Sequence, residues 1–528
     1  MEERALLTRR ELIRRFGTGA FLFFASSLAI PRSVIAQETQ TRQEPDVIIR
    51  LRAVERRIPL LEGPHTVTWS YEGELLRGPR ESLIPLEGSY LGPTIHVWRG
   101  QRVRIIYTNQ IPEHSIIHWH GLLVPEEMDG HPRYAVPEGG SYTYEFEVKN
   151  RAGTYWYHPH PHGRTGVQVY AGLAGLYIVH DPEEARSILP TVPYDVPIVI
   201  QDRSFDELNQ LVYLSTMMEQ MIGFLGDRIL VNGRLDHFLS VDPKPYRLRV
   251  LNGSNSRIYK LAWDTGTPIT AIGTDGGLLE KAVHLPYVVL SPGERIDLWI
   301  DFGDFMEDKV KLLSLPFSIG ASGMMGEMSG RDMMRAEPRR PGSPLLQGSS
   351  FPVMSFFIRP GKKAAHAPPG HLSSFRRYSL SDAINSRTPR RFIFAMQGMR
   401  PTINGRQFEL TGVTPEETVQ LNTTELWEFV NAGGMGMMGM MQQPHPVHVH
   451  GIQFQIVDRQ VHNRALSGWE SLNEGFVDQG FKDTVLLLPG TALRVAMRFG
   501  DYPGLFLYHC HNLEHEDLGM MRNYRIKS

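Results

Sequence analysis

The C-terminal end of the chain concentrates side chains that bind soft metal ions. His509, Cys510 and His511 are consecutive, and His515 and Met520 follow within ten residues of the cysteine. Cys510 is the only cysteine among the 528 residues, so its thiol cannot form a disulfide within the chain. A thiolate, two imidazoles and a weak thioether are the ligand set of a blue-copper electron-transfer site. The spacing predicts such a site, built from Cys510, His515, Met520 and one further histidine.

Three more histidine pairs have a single residue between the two imidazoles: His118 and His120, His158 and His160, and His448 and His450. With 21 histidines in 528 residues, chance gives roughly one such pair. Alternate side chains of a strand share a face, so each pair would present two imidazoles together. With His509 and His511 there are eight imidazoles, enough to hold three metal ions. His445, three residues before His448, is the natural second imidazole for the Cys510 site.

The same alternation places the ligands of two different sites on one strand. If residues 509–511 are extended, Cys510 points to one face, and His509 and His511 point to the other. Cys510 would then bind one metal ion while its two neighbours bind others behind it. The sequence therefore predicts two metal sites that are joined through adjacent residues.

Four segments carry a resemblance to a known family. HWHG at 118–121, HPHPHG at 158–163, HPVHVHG at 445–451 and HCHNLEHEDLGMM at 509–521 resemble, in order, the four copper motifs of the multicopper oxidases. Within that family the chain is similar to the bacterial laccases and the copper-efflux oxidases. The likeness extends to LGPTIHVWRGQRV, ILVNGRL, RLRVLNGSNSR and DGGLLEKAV, so it covers nearly the whole chain after the N-terminal segment.

The resemblance implies four copper ions, namely one type 1 ion, one type 2 ion and a type 3 pair. The type 1 copper would bind His445, Cys510 and His515, with Met520 as the axial ligand. The type 2 copper would bind His118 and His448. The type 3 pair would bind the other six histidines: His120, His158, His160, His450, His509 and His511. Half of the cluster histidines come from the first third of the chain and half from the last, so the cluster would lie between two domains.

The resemblance also implies a reaction. A reductant would give electrons one at a time to the type 1 copper, and they would pass through Cys510 to His509 or His511. At the cluster, four electrons and four protons would reduce dioxygen to two waters. Asp129 and Glu516 stand where the family has acidic residues near the cluster, and we predict that they act as catalytic proton carriers. The alternative interpretation of each is a solvated loop carboxylate.

Alternating polar and apolar runs predict an all-β fold. Three similar runs end at asparagine, and they lie at 102–109, 246–252 and 426–431. Asn-Gly pairs at 232–233 and 404–405 are typical of β-hairpins. The repeat predicts three sandwich domains, which the resemblance implies are Greek-key cupredoxin domains. We place them at residues 45–188, 189–365 and 366–528. The middle domain has no metal motif, and we expect it to hold the outer two at the right distance.

The N-terminal residues 1–36 resemble a twin-arginine signal peptide. The arginine pair lies within 8–14, an apolar run follows at 20–30, and we predict cleavage after Ala36. No later stretch is long and apolar enough to span a bilayer, so no stable membrane insertion is expected after signal removal. A net charge of −2 gives no indication of a nucleic-acid partner. We expect a periplasmic or otherwise extracytoplasmic monomer.

Two methionine clusters bear on the substrate. One contains Met324, Met325, Met328, Met333 and Met334, and the other, directly before His445, contains Met435, Met437, Met438, Met440 and Met441. Thioethers suit Cu(I), and the copper-efflux oxidases use methionine-rich segments to take up Cu(I). The chain departs from their pattern at Gln443, where those oxidases have an acidic residue. The alternative interpretation of the clusters is a gap-filling apolar loop.

These observations predict an oxidase with dioxygen as the acceptor and a reducing metal ion or small aromatic molecule as the other substrate. Cu(I) is the leading candidate, and Fe(II) or phenols would also be oxidised. A general laccase for phenols and aromatic amines is the alternative within the enzyme class. The alternative from another class is a copper-free exported scaffold, which the retention of all ten histidines, Cys510 and Met520 disfavours.

Overall fold

The computed structural model describes residues 44–319, 345–363, 366–397, 400–431 and 443–528. The predicted signal segment at 1–36 and both methionine clusters lie outside these residues. Residues 45–528 form one compact unit. Its described part contains six β-sheets, which enclose three large apolar cores as three two-sheet sandwiches. None of the helices in the described ranges has the length and apolar character needed to cross a bilayer.

Nine strands form the first sandwich: β1 (Val47–Ile58), β2 (Thr66–Arg77), β3 (Leu83–Ile84), β4 (Thr94–Trp98), β5 (Arg102–Asn109), β6 (Ile117–His120), β7 (Ser141–Glu147), β8 (Gly153–Pro159) and β9 (Gly175–His180). Their orders are β2-β1-β5-β7 in one sheet and β3-β4-β9-β8-β6 in the other. In β5 the period of two is clear, because Val103, Ile105 and Tyr107 are buried while the residues between them are not. These side chains meet Trp119 of β6 in the core between the sheets.

Twelve described strands form the second sandwich: β10 (Asp195–Arg203), β11 (Arg228–Val231), β12 (Arg234–Leu235), β13 (Phe238–Val241), β14 (Pro245–Asn252), β15 (Tyr259–Trp263), β16 (Ile269–Thr274), β17 (Gly277–Leu285), β18 (Val288–Leu290), β19 (Arg295–Asp301), β20 (Lys309–Ser314) and β21 (Phe351–Ile358). The sheet orders are β12-β11-β10-β14-β19-β16-β17 and β13-β21-β20-β15-β18. Asn232 and Gly233 have φ values of 53° and 70° and close the hairpin between β11 and β12, which confirms the turn prediction there.

Eleven described strands form the third sandwich: β22 (Arg390–Gln397), β23 (Arg400–Ile403), β24 (Thr418–Gln420), β25 (Thr423–Asn431), β26 (His445–Val449), β27 (Phe454–Val461), β28 (Phe481–Lys482), β29 (Thr484–Leu487), β30 (Thr491–Phe499), β31 (Gly504–Cys510) and β32 (Met521–Lys527). The sheet orders are β23-β22-β25-β30-β27-β28 and β24-β32-β31-β26-β29. The strands thus divide among three sandwiches, while the domain boundaries near 188 and 365 stay predictions.

The three similar sequence runs occupy equivalent strands. They lie in β5, β14 and β25, and each of these strands pairs in parallel with the first strand of its sandwich. Asn109, Asn252 and Asn431 end the three runs, and all three are buried. Their side-chain amides donate to backbone carbonyl groups of the following loops at 2.7, 2.7 and 2.9 Å. Asparagine recurs because the buried backbone carbonyl in the loop after each of these strands needs a hydrogen-bond donor, which the asparagine amide supplies.

Six short α-helices lie between the described strands: α1 (Thr165–Ala171), α2 (Pro182–Arg186), α3 (Met217–Ile222), α4 (Arg464–Ser467), α5 (Trp469–Leu472) and α6 (Leu513–Asp517). Two of them lie beside residues that the sequence predicts to bind metal. The side chain of Asn512 caps α6 by accepting from the backbone N–H of His515 at 3.3 Å. Thr216 and Glu219 form a capping box at the start of α3, which packs against α6.

Candidate metal centre

Eight buried histidines meet where the first and third sandwiches face each other. Four come from β6 and β8 or the residue after β8, and four come from β26 and β31 or the residues just after them. Antiparallel pairing sets His118 opposite His158, and His448 opposite His509. Every one of the eight side chains is fully buried: His118, His120, His158, His160, His448, His450, His509 and His511. The structure therefore brings together all the histidines that the sequence assigned to the cluster.

Ring nitrogens of the two sandwiches approach within metal-sharing distance. The Nε2 atoms of His118 and His448 are 3.3 Å apart. The Nε2 atom of His509 lies 3.0 Å from that of His450 and 3.4 Å from that of His160. Three histidine groups are each compact enough to hold one ion: His118, His120 and His158; His118, His448 and His450; and His160, His450 and His509. The His511 ring lies against the first group, 5.0 Å from the His120 ring centroid.

Backbone and carboxylate oxygens select which ring nitrogen faces the cluster. Nδ1 of His118 lies 2.6 Å from the Asp129 carbonyl, and Nδ1 of His448 lies 2.8 Å from the Asp483 carbonyl. Nδ1 of His158 makes the same kind of contact with a backbone carbonyl at 2.9 Å. When Nδ1 carries the proton and donates it to a carbonyl, the Nε2 lone pair is free to bind a metal ion. His120 is reversed, because its Nε2 contacts Asp483 Oδ1 at 3.1 Å and Thr484 Oγ1 at 2.9 Å.

The chemistry of this donor set fits metal ions. Burial lowers the pKa of His120, His158 and His448 well below the usual histidine range, so these imidazoles are neutral at pH 7 and carry a free lone pair. Both ring nitrogens of His511 and Nδ1 of His160 are buried without a hydrogen-bond partner in the described part of the chain. Buried polar atoms are rarely left unsatisfied, and a metal ion would occupy such an atom.

A second donor set surrounds the single cysteine. The Cys510 Sγ atom is fully buried, 3.3 Å from His445 Nδ1 and 3.7 Å from His515 Nδ1. Met520 is also fully buried, and its carbonyl accepts from the Cys510 amide at 3.0 Å. Burial raises the pKa of the Cys510 thiol well above its usual range, so a nearby cation is needed to stabilise the thiolate. These residues fit a thiolate-bound metal.

Both predicted acidic residues contact cluster histidines. Asp129 is fully buried, and its Oδ2 lies 2.8 Å from His450 Nδ1. Glu516 is also buried, with Oε2 at 3.1 Å from His509 Nδ1 and Oε1 at 3.5 Å from His160 Nε2. Neither side chain is a solvated loop carboxylate.

The helix α3 covers the edge of the cysteine site, which the sequence reasoning missed. The carbonyl oxygen of Met221 lies 2.9 Å from His515 Nε2, the nitrogen that faces away from the sulfur. On the same helix Met217 and Met218 are 64% and 52% exposed. Three methionines within five residues were a signal in the sequence, but their distance of about 300 positions from His515 concealed their location.

Asp483 and Thr484 are the other contacts that the sequence reasoning missed. Asp483 lies between β28 and β29, Thr484 is the first residue of β29, and both are next to His120 and His448. Nothing in their local sequence marks them, because their role depends on a contact with β6 of another domain. The predicted methionine clusters at 324–334 and 435–441 lie outside the described residues, so their location stays a prediction.

The amino-acid sequence is similar to sequences of known proteins. Two sequence profiles, both described as multicopper oxidase, match residues 68–184 and 382–528. The laccase of Bacillus subtilis is 32% identical over 493 residues, which is 84% of this chain and 90% of the relative. The cell division protein FtsP of Escherichia coli is 29% identical over 483 residues, 91% of this chain and 90% of the relative.

The fold is also similar to that of a multicopper oxidase of known structure. The McoA multicopper oxidase of Aquifex aeolicus shares 32% identity and a TM-score of 0.73, with 92% of this chain and 97% of that chain covered. The all-β prediction with three cupredoxin-like sandwiches is confirmed. By sequence and by fold, the chain belongs to the multicopper oxidase family.

Proposed function

We propose that the chain takes single electrons from a reductant at a type 1 copper and uses dioxygen as the terminal acceptor at a three-copper cluster. Membership of the multicopper oxidase family supports a copper-dependent oxidoreductase. The observation that supports electron transfer between the two sites is the position of their ligands on β31. On this strand Cys510 contacts His445 while the adjacent His509 contacts His450 of the cluster. The two donor sets are therefore joined through covalent bonds rather than through solvent.

The ligand assignment follows the donor groups. His445, Cys510 and His515 would hold the type 1 copper, with Met520 as a further ligand. His118 and His448, whose Nε2 atoms are 3.3 Å apart, would hold the type 2 copper. The remaining six would hold the type 3 pair: His120, His158, His160, His450, His509 and His511. When bound, these four ions supply one-electron uptake and the four-electron reduction of dioxygen to two waters.

The residues of the chain itself position ligands and carry protons. Backbone carbonyls fix the ring orientation of His118, His158 and His448, so that metal binding requires little reordering. Complete burial keeps bulk water away from the cluster histidines. Asp129 and Glu516 each touch a cluster histidine and can hold a proton within hydrogen-bond reach of the site.

We expect Glu516→Gln to slow dioxygen reduction while the type 1 copper is still reduced at the wild-type rate. A carboxamide keeps the volume and an acceptor but cannot release a proton, and positioned proton transfer contributes about 10²- to 10⁴-fold. Stopped-flow absorbance would follow both steps separately. Glu514→Gln is the matched control, since Glu514 is equally buried but contacts Tyr213 and Asn255 instead of a histidine. An equal effect of the two variants would refute the proton role of Glu516.

We further propose Cu(I) as the favoured reductant, with Fe(II) and phenols as additional substrates. The support is the position of α3, whose exposed Met217 and Met218 lie on the helix that covers His515. Thioether sulfur is a soft ligand suited to Cu(I). A general laccase is the second candidate, favoured by the 32% identity to a protein named laccase.

Replacing methionines with serine should separate these two candidates. We expect Met→Ser changes at 435–441 to lower kcat/KM for Cu(I) by about tenfold or more, and to change kcat/KM for a bulky phenol by less than about twofold. Changes at 324–334 and at Met217 and Met218 form two parallel arms that locate the Cu(I) site. Equal losses for Cu(I) and phenol in every arm would indicate a structural role, and unchanged Cu(I) kinetics in all arms would indicate a general laccase.

The copper-free scaffold remains as a weaker proposal, suggested by the relative named as a cell division protein. Its prediction is a colourless protein after copper loading, whereas the oxidase is blue.

We also propose that residues 1–36 direct export by the twin-arginine pathway to the periplasm or another extracytoplasmic location, and that the mature chain is a monomer.

A further inference from the structure

Arg295 of the middle domain binds Asp483, which contacts the cluster residue His120, although the middle domain has no copper motif. It is the first residue of β19 and is 1% exposed. All five of its N–H groups have acceptors, which come from all three sandwiches: Thr154 O at 2.9 Å, Gly293 O at 2.9 Å, Asp275 O at 3.2 Å, and Asp483 Oδ1 and Oδ2 at 2.7 and 2.5 Å. A two-point contact with a carboxylate fixes the orientation of both partners.

Asp483 passes this fixed orientation on to two cluster histidines. Its Oδ1 atom lies 3.1 Å from His120 Nε2, and its backbone carbonyl lies 2.8 Å from His448 Nδ1. The Thr484 hydroxyl donates to the same Oδ1 at 3.0 Å. The carboxylate is thus held by Arg295 on one side and by His120 on the other.

Two glycines make this close approach possible. A Cβ atom at Gly121, the glycine of the HWHG motif, would lie 2.3 Å from Asp483 Oδ2 and 2.8 Å from Arg295 Nη2. A Cβ atom at Gly293, in the middle domain, would lie 3.1 Å from the rings of His120 and His511. Both glycines have positive φ, 87° and 84°, which also disfavours other residues. The middle domain therefore packs directly on the cluster.

Asp483 itself could be a metal ligand, since it forms a compact group with His120 and His448. Against this, its Oδ1 already faces the Arg295 guanidinium and the Thr484 hydroxyl, and its Oδ2 faces Arg295. A cation beside this guanidinium would be repelled. The contacts instead match a carboxylate that accepts the outer N–H of a metal-binding histidine.

We propose that Arg295 and Asp483 are positioning residues for the type 3 copper site, through which the middle domain sets the ring orientation of His120. Asp483 Oδ1 and the Thr484 hydroxyl oxygen that donates to it both face the Nε2–H of His120, at 3.1 and 2.9 Å. The lone pair therefore stays on Nδ1, which lies 3.3 Å from His158 Nε2. Arg295 holds the Asp483 side chain in place through its two-point contact. This inference rests on the proposed assignment of His120 to the type 3 pair.

The test is copper retention and electron paramagnetic resonance of Asp483→Ala and Arg295→Lys holoenzymes. Loss of an outer partner weakens metal binding by about 10- to 100-fold. We expect Asp483→Ala to fall from four coppers to about three per chain after dialysis against a chelator, with the blue absorption unchanged. A copper that has lost its coupled neighbour gives a new paramagnetic signal. Lysine cannot make the two-point contact, so Arg295→Lys should show a smaller loss of the same kind.

Arg249→Lys is the matched control. Arg249 is also 1% exposed in the middle domain, binds Asp195 through two contacts of 2.8 Å, and reaches Thr154. Unlike Asp483, its partner Asp195 has no cluster histidine among its contacts in the described residues. We expect it to keep four coppers and the wild-type resonance spectrum. Equal copper loss in Arg249→Lys and Arg295→Lys would mean general loosening between domains and would overturn the inference.

Two further outcomes are decisive. Full copper retention and an unchanged spectrum in Asp483→Ala would show that Asp483 does not position His120 and would overturn the inference. If Asp483→Ala does not fold, Asp483→Asn decides instead, since it keeps the volume but loses the charge that Arg295 holds: a wild-type spectrum overturns the inference, and a new copper signal supports it. A wild-type protein without four coppers would refute the proposed function rather than this inference.

Discussion

Replacing Cys510 with serine is expected to abolish both the blue colour and the oxidase activity while the chain still folds. The hydroxyl cannot supply the thiolate-to-copper charge-transfer band, and it breaks the path from His445 to His509. Serine is close to cysteine in size, so the fully buried site keeps its packing. An unsatisfied buried hydroxyl costs about 1–3 kcal/mol, which a domain of this size tolerates. Visible absorbance, oxygen uptake and thermal unfolding of the same preparation measure the three effects.

Met521→Leu provides a control beside the same site. Met521 is buried on β32 next to Met520, but the proposed axial ligand is Met520, so this variant should stay blue and active. A Cys510→Ser protein that is blue and turns over substrate would show that the type 1 assignment is wrong.

Replacing either His118 or His448 with alanine is expected to remove the type 2 copper and stop dioxygen reduction. The two residues are 330 positions apart, yet their Nε2 atoms are 3.3 Å apart. Since even outer partners of a metal site contribute 10- to 100-fold, loss of a direct ligand should lower oxygen turnover by more than about 100-fold. The Cys510 site shares neither residue, so a reductant should still bleach the blue band.

Similar losses from these two alanine variants would place the first and third domains at one cluster. His96→Ala is the matched control, because His96 is a partly buried histidine of the first sandwich whose ring contacts His180 instead of the cluster, at 3.1 Å. Full oxygen turnover in the His118 or the His448 variant, or an equal loss in the control, would contradict the shared cluster.

The metal-binding roles of the histidines and the cysteine could be predicted because side chains alternate between the two faces of a strand, so every second residue shares a face. Alternation on β31 separates Cys510 from His509 and His511, and this relation is visible in three consecutive letters. The threefold repeat was visible for the same reason, since strands such as β5 bury every second residue. Each of the three runs closes with a buried asparagine, which made the repeat recognisable in the sequence.

The remaining contacts could not be predicted because they join distant parts of the chain. Arg295 and Asp483 are 188 positions apart, and each lies in a segment without a metal motif. The carbonyl of Met221 reaches His515 across 294 positions through a backbone atom, which leaves no trace in residue type. From the sequence we expected the middle domain to act as a spacer, whereas its Gly293 packs against His120 and His511, and its Arg295 binds Asp483 beside His120.

The most direct test of a joined type 1 site and three-copper cluster is the number of one-electron substrate molecules oxidised per dioxygen consumed. An oxygen electrode combined with the absorbance of a one-electron reductant gives this ratio for the copper-loaded protein. Electrons collected at Cys510 and delivered together to one cluster predict four reductant molecules per dioxygen, with no hydrogen peroxide released. A ratio of two with accumulating peroxide, or oxidation of the reductant without oxygen uptake, would contradict the proposed coupling of the two sites.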